Sequence, residues 1–95
     1  MIGLQFEWDE QKEKTNIKKH GLDFETAARV FDDENRLEWY DEIHSEYEDR
    51  YITIGLIDGI ACVIMVVYTD REEAIRIISA RKATKQEKEM YYDYS

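Results

Sequence analysis

The sequence predicts an α+β domain: a four- to five-stranded antiparallel sheet with helices packed on it. The expected order is strand, helix, helix, strand, strand, strand, strand, helix. Three observations predict this class. Several short runs alternate apolar and polar residues, the period of a half-buried strand. Phe24, Ala27, Ala28 and Phe31 follow the i, i+3, i+4, i+7 spacing of an amphipathic helix. Thr84-Lys85-Gln86-Glu87 is a capping box that opens a helix near the end of the chain. At 95 residues there is room for one core, so residues 1–95 read as a single domain.

Leu4–Trp8 alternates and reads as the first strand. Asp9 caps a helix that runs to about His20, with Gly21 as its left-handed stop. Ile17 is the clearest apolar anchor of this helix, so it is largely exposed or faces a polar site. Asp23 caps the second helix, and Asp32-Asp33-Glu34-Asn35 ends it as a turn. Leu37–Asp41 and Arg50–Leu56 alternate as strands, and Asp58-Gly59 signals a hairpin turn. Ile60–Tyr68 is nearly all apolar, as expected of a central strand covered on both faces. A turn at Thr69–Glu72 leads into the strand Ala74–Ser79, and the last helix ends near Tyr94.

Apolar residues make up 43% of the chain, enough for a core. The lone cysteine, Cys62, lies in an apolar run and reads as a small buried hydrophobe in a reducing, cytoplasmic setting. No signal peptide and no bilayer-length apolar run is visible, so no membrane role is expected. The net charge of −9 argues against a nucleic-acid binder, but its distribution is uneven. Asp32–Asp49 carries nine acids against Arg36, a net of −8. Lys12–His20 is +3 and Arg76–Lys88 is +4, so a local basic site on an acidic protein is expected.

Lys12, Asn16, Lys19 and His20 share one face of the first helix. Lysine supplies charge and histidine a proton near neutrality, a set suited to a phosphate ligand. The alternative is a solvated helix whose Lys19 and His20 complement its C-terminal dipole. Arg76 points opposite to Ile75 and Ile77, while Arg81 and Lys82 lie just before the capped helix, where an anion fits. The alternative there is surface charge paired with the acidic stretch. His44 and Arg50 flank an acidic loop in which Glu46 and Glu48 are candidate bases; a solvated connection is the competing reading. Tyr68 ends the central strand, as a substrate hydroxyl or as rim packing. No zinc-ligand spacing, glycine-rich phosphate loop, serine elbow or calcium loop is present, so neither metal nor cofactor is expected.

Three segments together carry a resemblance. The first is Phe6-Glu7-Trp8-Asp9 with Lys12, Asn16 and Lys19-His20-Gly21. The second is Phe24-Glu25 with Ala27-Ala28 and Val30-Phe31-Asp32-Asp33. The third is Val67-Tyr68-Thr69 with Arg71 and the run from Ile75 through Ser79 and Arg81 to Thr84, while Arg50 and Ile54-Gly55 agree between them. Over nearly its whole length the chain resembles the BrnT family of bacterial toxins. The resemblance implies a RelE-like ribonuclease fold and metal-independent RNA cleavage that stops translation. It implies a BrnA-like ribbon-helix-helix antitoxin in a heterotetramer, with operator DNA contacted only through that antitoxin.

On this reading the catalytic candidates are Lys19, His20, His44, Glu46, Arg50, Arg76 and Arg81, with RNA contacts at Lys12, Asn16, Tyr68, Ser79 and Lys82. A rival reading makes the chain a non-catalytic binding module whose acidic stretch Asp32–Asp49 receives a basic partner.

Overall fold

Short-range signals fix the helices of the computed structural model, which describes residues 5–94. The Asp9 carboxylate accepts from the backbone N–H groups of Gln11 and Lys12, at 2.8 and 3.1 Å, and opens α1 (Glu10–His20). The Lys12 and Gln11 amides hold that carboxyl below its ordinary range. Gly21 ends α1 at φ 68°, a left-handed conformation open to a residue without Cβ, and donates to the Ile17 carbonyl at 2.7 Å. Asp23 caps α2 (Phe24–Ala28) through the Thr26 amide. The expected single helix over Phe24–Phe31 tightens after Ala28 into a 3-10 turn over Arg29–Asp32. Thr84 and Glu87 exchange reciprocal bonds of 2.8 and 3.2 Å and open α3 (Lys85–Tyr94).

Five strands follow the sequence order: β1 (Phe6–Trp8), β2 (Leu37–Tyr40), β3 (Tyr51–Ile57), β4 (Cys62–Arg71) and β5 (Ala74–Lys82). Leu4, the expected start of β1, lies outside the described residues. Their order in space is β1-β5-β4-β3-β2. Strands β2 to β5 form the antiparallel meander, but β1 joins β5 in parallel, so the sheet is mixed. The reason lies in packing. Parallel pairing sets Phe6 and Trp8 beside Ile75 and Ile77, where Phe6 meets the Phe31 ring at 5.3 Å and Trp8 meets Phe24 edge-on at 6.1 Å. The Asp58-Gly59 turn also differs from a two-residue hairpin. It is a 3-10 turn over Asp58–Ile60, and Ala61, not Gly59, takes the left-handed conformation at φ 47°. Ile60 therefore leaves the strand and is exposed.

The sheet is covered on both faces, with β4 in the middle, as its apolar run requires. On one face Phe24, Ala27 and Val30 pack on Ile57, Ile64, Val66, Ile77 and Ala80. On the other, Tyr91 of α3 packs with Ile54, Val63 and Ala83. Each fully buried large apolar side chain contributes roughly 1.5–3 kcal/mol. Cys62 is only partly buried, packed at the margin of the first cluster. Among the described residues no helix is long and apolar enough to cross a membrane.

Candidate functional site

The site begins with a gap in the sheet. β1 accompanies β5 only as far as Ile77, which leaves the outer edge of β5 bare beyond that point. Asn16 of α1 fills the gap. Its side-chain oxygen accepts from the Ala80 N–H at 3.0 Å, and its amide nitrogen donates to the carbonyls of Ala80 at 2.8 Å and Leu22 at 2.9 Å. One side chain thus imitates a neighbouring strand and fastens α1 along β5. Asn16 is 5% exposed, which explains a buried amide on a helix with almost no apolar stripe.

Fastening the helix leaves a groove of about 280 Å³ between α1 and β5. Lys12, Lys19 and His20 line it from the helix and Ser79 from the strand. Gln11 and Thr15 also line it, and the sequence reading missed both. Their signal was the i, i+4, i+8 spacing of Gln11, Thr15 and Lys19 on one helical face. Lys12, Lys19 and His20 are exposed, and none is within ion-pair distance of a carboxylate among the described residues.

The arginines behave differently. Arg76 pairs with Glu7 at 2.9 Å across the β1–β5 ladder. Arg81 forms a two-pronged pair with Glu87, at 2.7 and 3.0 Å. Burial pushes the Glu87 carboxyl up, but Arg81 and the Thr84 amide outweigh it and hold it below its ordinary range. Arg71 meets Glu48 at 3.3 Å and Arg36 meets Glu38 at 2.7 Å. Lys82 is exposed at the end of β5.

The remaining sequence candidates lie elsewhere. His44, Glu46 and Arg50 belong to the β2–β3 connection, which β3, β4 and β5 separate from α1. His44 Nδ1 lies 3.0 Å from an Asp41 carboxylate oxygen, and the Arg50 N–H donates to the Ser45 hydroxyl at 3.0 Å. Glu46 is exposed. Carrying the β3–β4 register one step past Tyr51 and Tyr68 sets Arg50 opposite Thr69. The Arg50 Nε and Thr69 Oγ1 atoms are buried without a partner among the described residues. Tyr68 is 4% exposed, set edge-on against Phe31 at 5.0 Å and stacked with Tyr51 at 5.8 Å. Its hydroxyl donates to Glu38; burial and that carboxylate push the phenol well above its ordinary range. The structure therefore gathers Lys12, Asn16, Lys19, His20 and Ser79, and keeps His44, Glu46, Arg50 and Tyr68 apart from them.

A larger cavity, about 490 Å³, lies where Tyr91 of α3 meets Leu56, Ile57 and the turn after α2. Asp32, Asp33, Glu34 and Asp58 line it against a single base, Arg29, so it repels phosphate. Asp33 ties its walls together, its Oδ2 accepting from the Leu56 N–H at 2.8 Å and the Tyr91 hydroxyl at 2.6 Å. No cluster of three or more His, Cys, Asp or Glu suited to a metal ion occurs among the described residues.

The groove has the chemistry of an anion site: exposed lysines, a histidine, hydroxyls, and no described carboxylate paired to its cations. Comparison with known proteins bears on what that anion is. The family described as "Ribonuclease toxin, BrnT, of type II toxin-antitoxin system" matches residues 8–87. No curated protein matches the chain. The match takes in all of α1, the whole sheet except the start of β1, and the capping box of α3. The chain belongs to the BrnT family, the ribonuclease toxins of type II toxin–antitoxin systems.

Proposed function

We propose that the chain is a metal-independent endoribonuclease that stops translation and is neutralised by a BrnA-like ribbon-helix-helix antitoxin in a heterotetramer. The observation that carries the reading is the groove itself: Lys12, Lys19, His20 and Ser79 meet around one space, free of paired carboxylates. An RNA phosphate in the groove is held by the two lysines and the Ser79 hydroxyl. His20 withdraws the proton of the adjacent ribose 2′-hydroxyl as that oxygen attacks phosphorus. The bond to the 5′-oxygen breaks, the leaving oxygen takes a proton, and a cyclic phosphate remains. Arg76 and Arg81 stabilise the charge growing on the phosphoryl oxygens once RNA displaces Glu7 and Glu87. The need for a 2′-hydroxyl confines cleavage to RNA.

The test is RNA cleavage by the purified chain in a metal chelator, with and without substitutions. A positioned base contributes about 10²–10⁴-fold, so His20→Ala loses that factor while the protein stays folded. Intact RNA at high protein concentration sinks the proposal.

The net charge of −9 favours a second reading, a binding module without cleavage. It tolerates Lys12→Ala, Lys19→Ala and His20→Ala together without loss of function, whereas the ribonuclease does not.

A further inference from the structure

The two edges of the sheet are finished differently. At one, the edge strand is β1, only three residues long, and beyond it Asn16 takes up the edge of β5. At the other, β2 bonds only to β3, and no described strand lies beyond it. Proteins usually guard such an edge with a very short strand, charged side chains, proline or a bulge; β2 is short, but its one charge, Glu38, is tied to Arg36 and Tyr68. The chain has no proline, β2 has no lysine, and its register with β3 is regular from Leu37 to Tyr40. Large apolar side chains collect beside this edge. Trp39 is 38% exposed, Tyr40 42%, Ile43 80% and Tyr47 97%. The flanking charge is one-sided, −8 over Asp32–Asp49, and Glu34 and Glu42 are exposed and in no ion pair among the described residues.

We propose that the outer edge of β2 docks an extended, basic segment of a protein partner as a sixth strand. Backbone bonds to β2 supply the pairing, and Lys or Arg side chains of the segment meet Glu34 and Glu42. Charge selects the occupant. A second copy of β2 would set acid against acid, which destabilises a strand pair. RNA is repelled for the same reason. A basic strand meets the open backbone, the apolar side chains and the carboxylates together. The source of the segment is the antitoxin, and for that identity the inference rests on the reading given above. Docking here leaves the α1–β5 groove, across three strands, a separate surface.

The test is amide hydrogen exchange of the full chain with three synthetic ten-residue peptides. One alternates lysine with valine, one replaces each lysine by glutamate, and one keeps the lysines but is interrupted by prolines. The lysine–valine peptide slows exchange of alternate amides within Leu37–Tyr40 at least tenfold. The other two do not. Glu34→Lys combined with Glu42→Lys weakens binding at least tenfold and leaves RNA cleavage by the free chain unchanged. Equal protection by the proline peptide, protection mapped to α1 and β5, or none at all overturns the proposal. A chain that protects β2 yet leaves RNA intact keeps this inference and retires the ribonuclease reading. One that cuts RNA without protection at β2 does the reverse.

Discussion

Asn16 and its neighbours on α1 do opposite work from adjacent positions. The Asn16 amide is buried and saturated by the Ala80 and Leu22 backbone, so it sets where the helix lies. Lys12 and Lys19 are exposed and make no ion pair among the described residues, so they are available to a ligand. Leaving a buried polar group unpaired costs about 1–3 kcal/mol, and Asn16→Ala strands both the N–H and the C=O of Ala80. Asn16→Ala therefore lowers unfolding stability by about 3 kcal/mol in urea titration. Lys12→Ala and Lys19→Ala stay within about 0.5 kcal/mol of the parent in the same titration. Both weaken binding of an uncleavable RNA measured by fluorescence anisotropy. If Asn16→Ala unfolds like the lysine variants, its clamp role is wrong.

At the scale of elements, α3 is tied down twice, and the ties respond to different conditions. Glu87 closes the capping box with Thr84 and also holds Arg81. Glutamine keeps the capping geometry but gives up the charge. Glu87→Gln thus leaves α3 formed by circular dichroism, frees Arg81 and tightens RNA binding. Unchanged affinity would show that Arg81 stands outside the RNA path. The second tie is Tyr91, whose phenol is pushed up to about 12 by burial and by Asp33. Its folded value lies above the ordinary 10.0, so its contribution is complete below pH 10 and is lost as pH rises toward 12. Tyr91→Phe is therefore less stable than the parent at pH 8, and the difference shrinks by pH 11.5 in thermal melts. Elements like these were legible because their signals are local: Asp9, Gly21, Asp23 and the Thr84–Glu87 box each act within a few residues. The parallel β1–β5 pairing joins residues 69 apart, such as Glu7 and Arg76, and no local pattern encodes it. The same distance hid the clamp made by Asn16, which the helical face groups with the candidate RNA contacts while its partner, Ala80, lies 64 positions away. Tyr68 reads from the sequence as a substrate hydroxyl or as rim packing; its contacts with Phe31 and Tyr51 fit packing, while its partner Glu38, 30 positions away, has no local signal.

Across the whole molecule the acids are structural as well as numerous. Asp23, Asp33, Glu38 and Glu87 all lie below their ordinary values. Asp23 is held there by the Thr26 hydroxyl and amide. In Asp33, Glu38 and Glu87 burial pulls the other way and is outweighed by hydrogen bonds and arginines. Depressed carboxyls stabilise a fold above the unfolded-state value, and that stability goes as pH falls through the folded one. Stability is flat from pH 8 to about 5 and drops below about 4, steepest where these four groups take up protons together. Asp33→Asn makes the drop shallower in acid-unfolding curves followed by fluorescence. A drop of unchanged steepness would remove Asp33 from the set.

The groove is assembled from segments far apart in sequence: α1 supplies residues 11–20, and β5 supplies Ile78 and Ser79. A polypeptide halted anywhere before β5 has the helix but nothing to hold it against, since Ala80 is the post to which Asn16 is tied. If the groove is the cleavage site proposed above, the order of synthesis acts as a safety catch. An unfinished molecule still attached to its ribosome carries the lysines and the histidine without the surface that aims them. On the proposed reading, the groove that would hold RNA does not exist until β5 has been made and Ala80 has met Asn16.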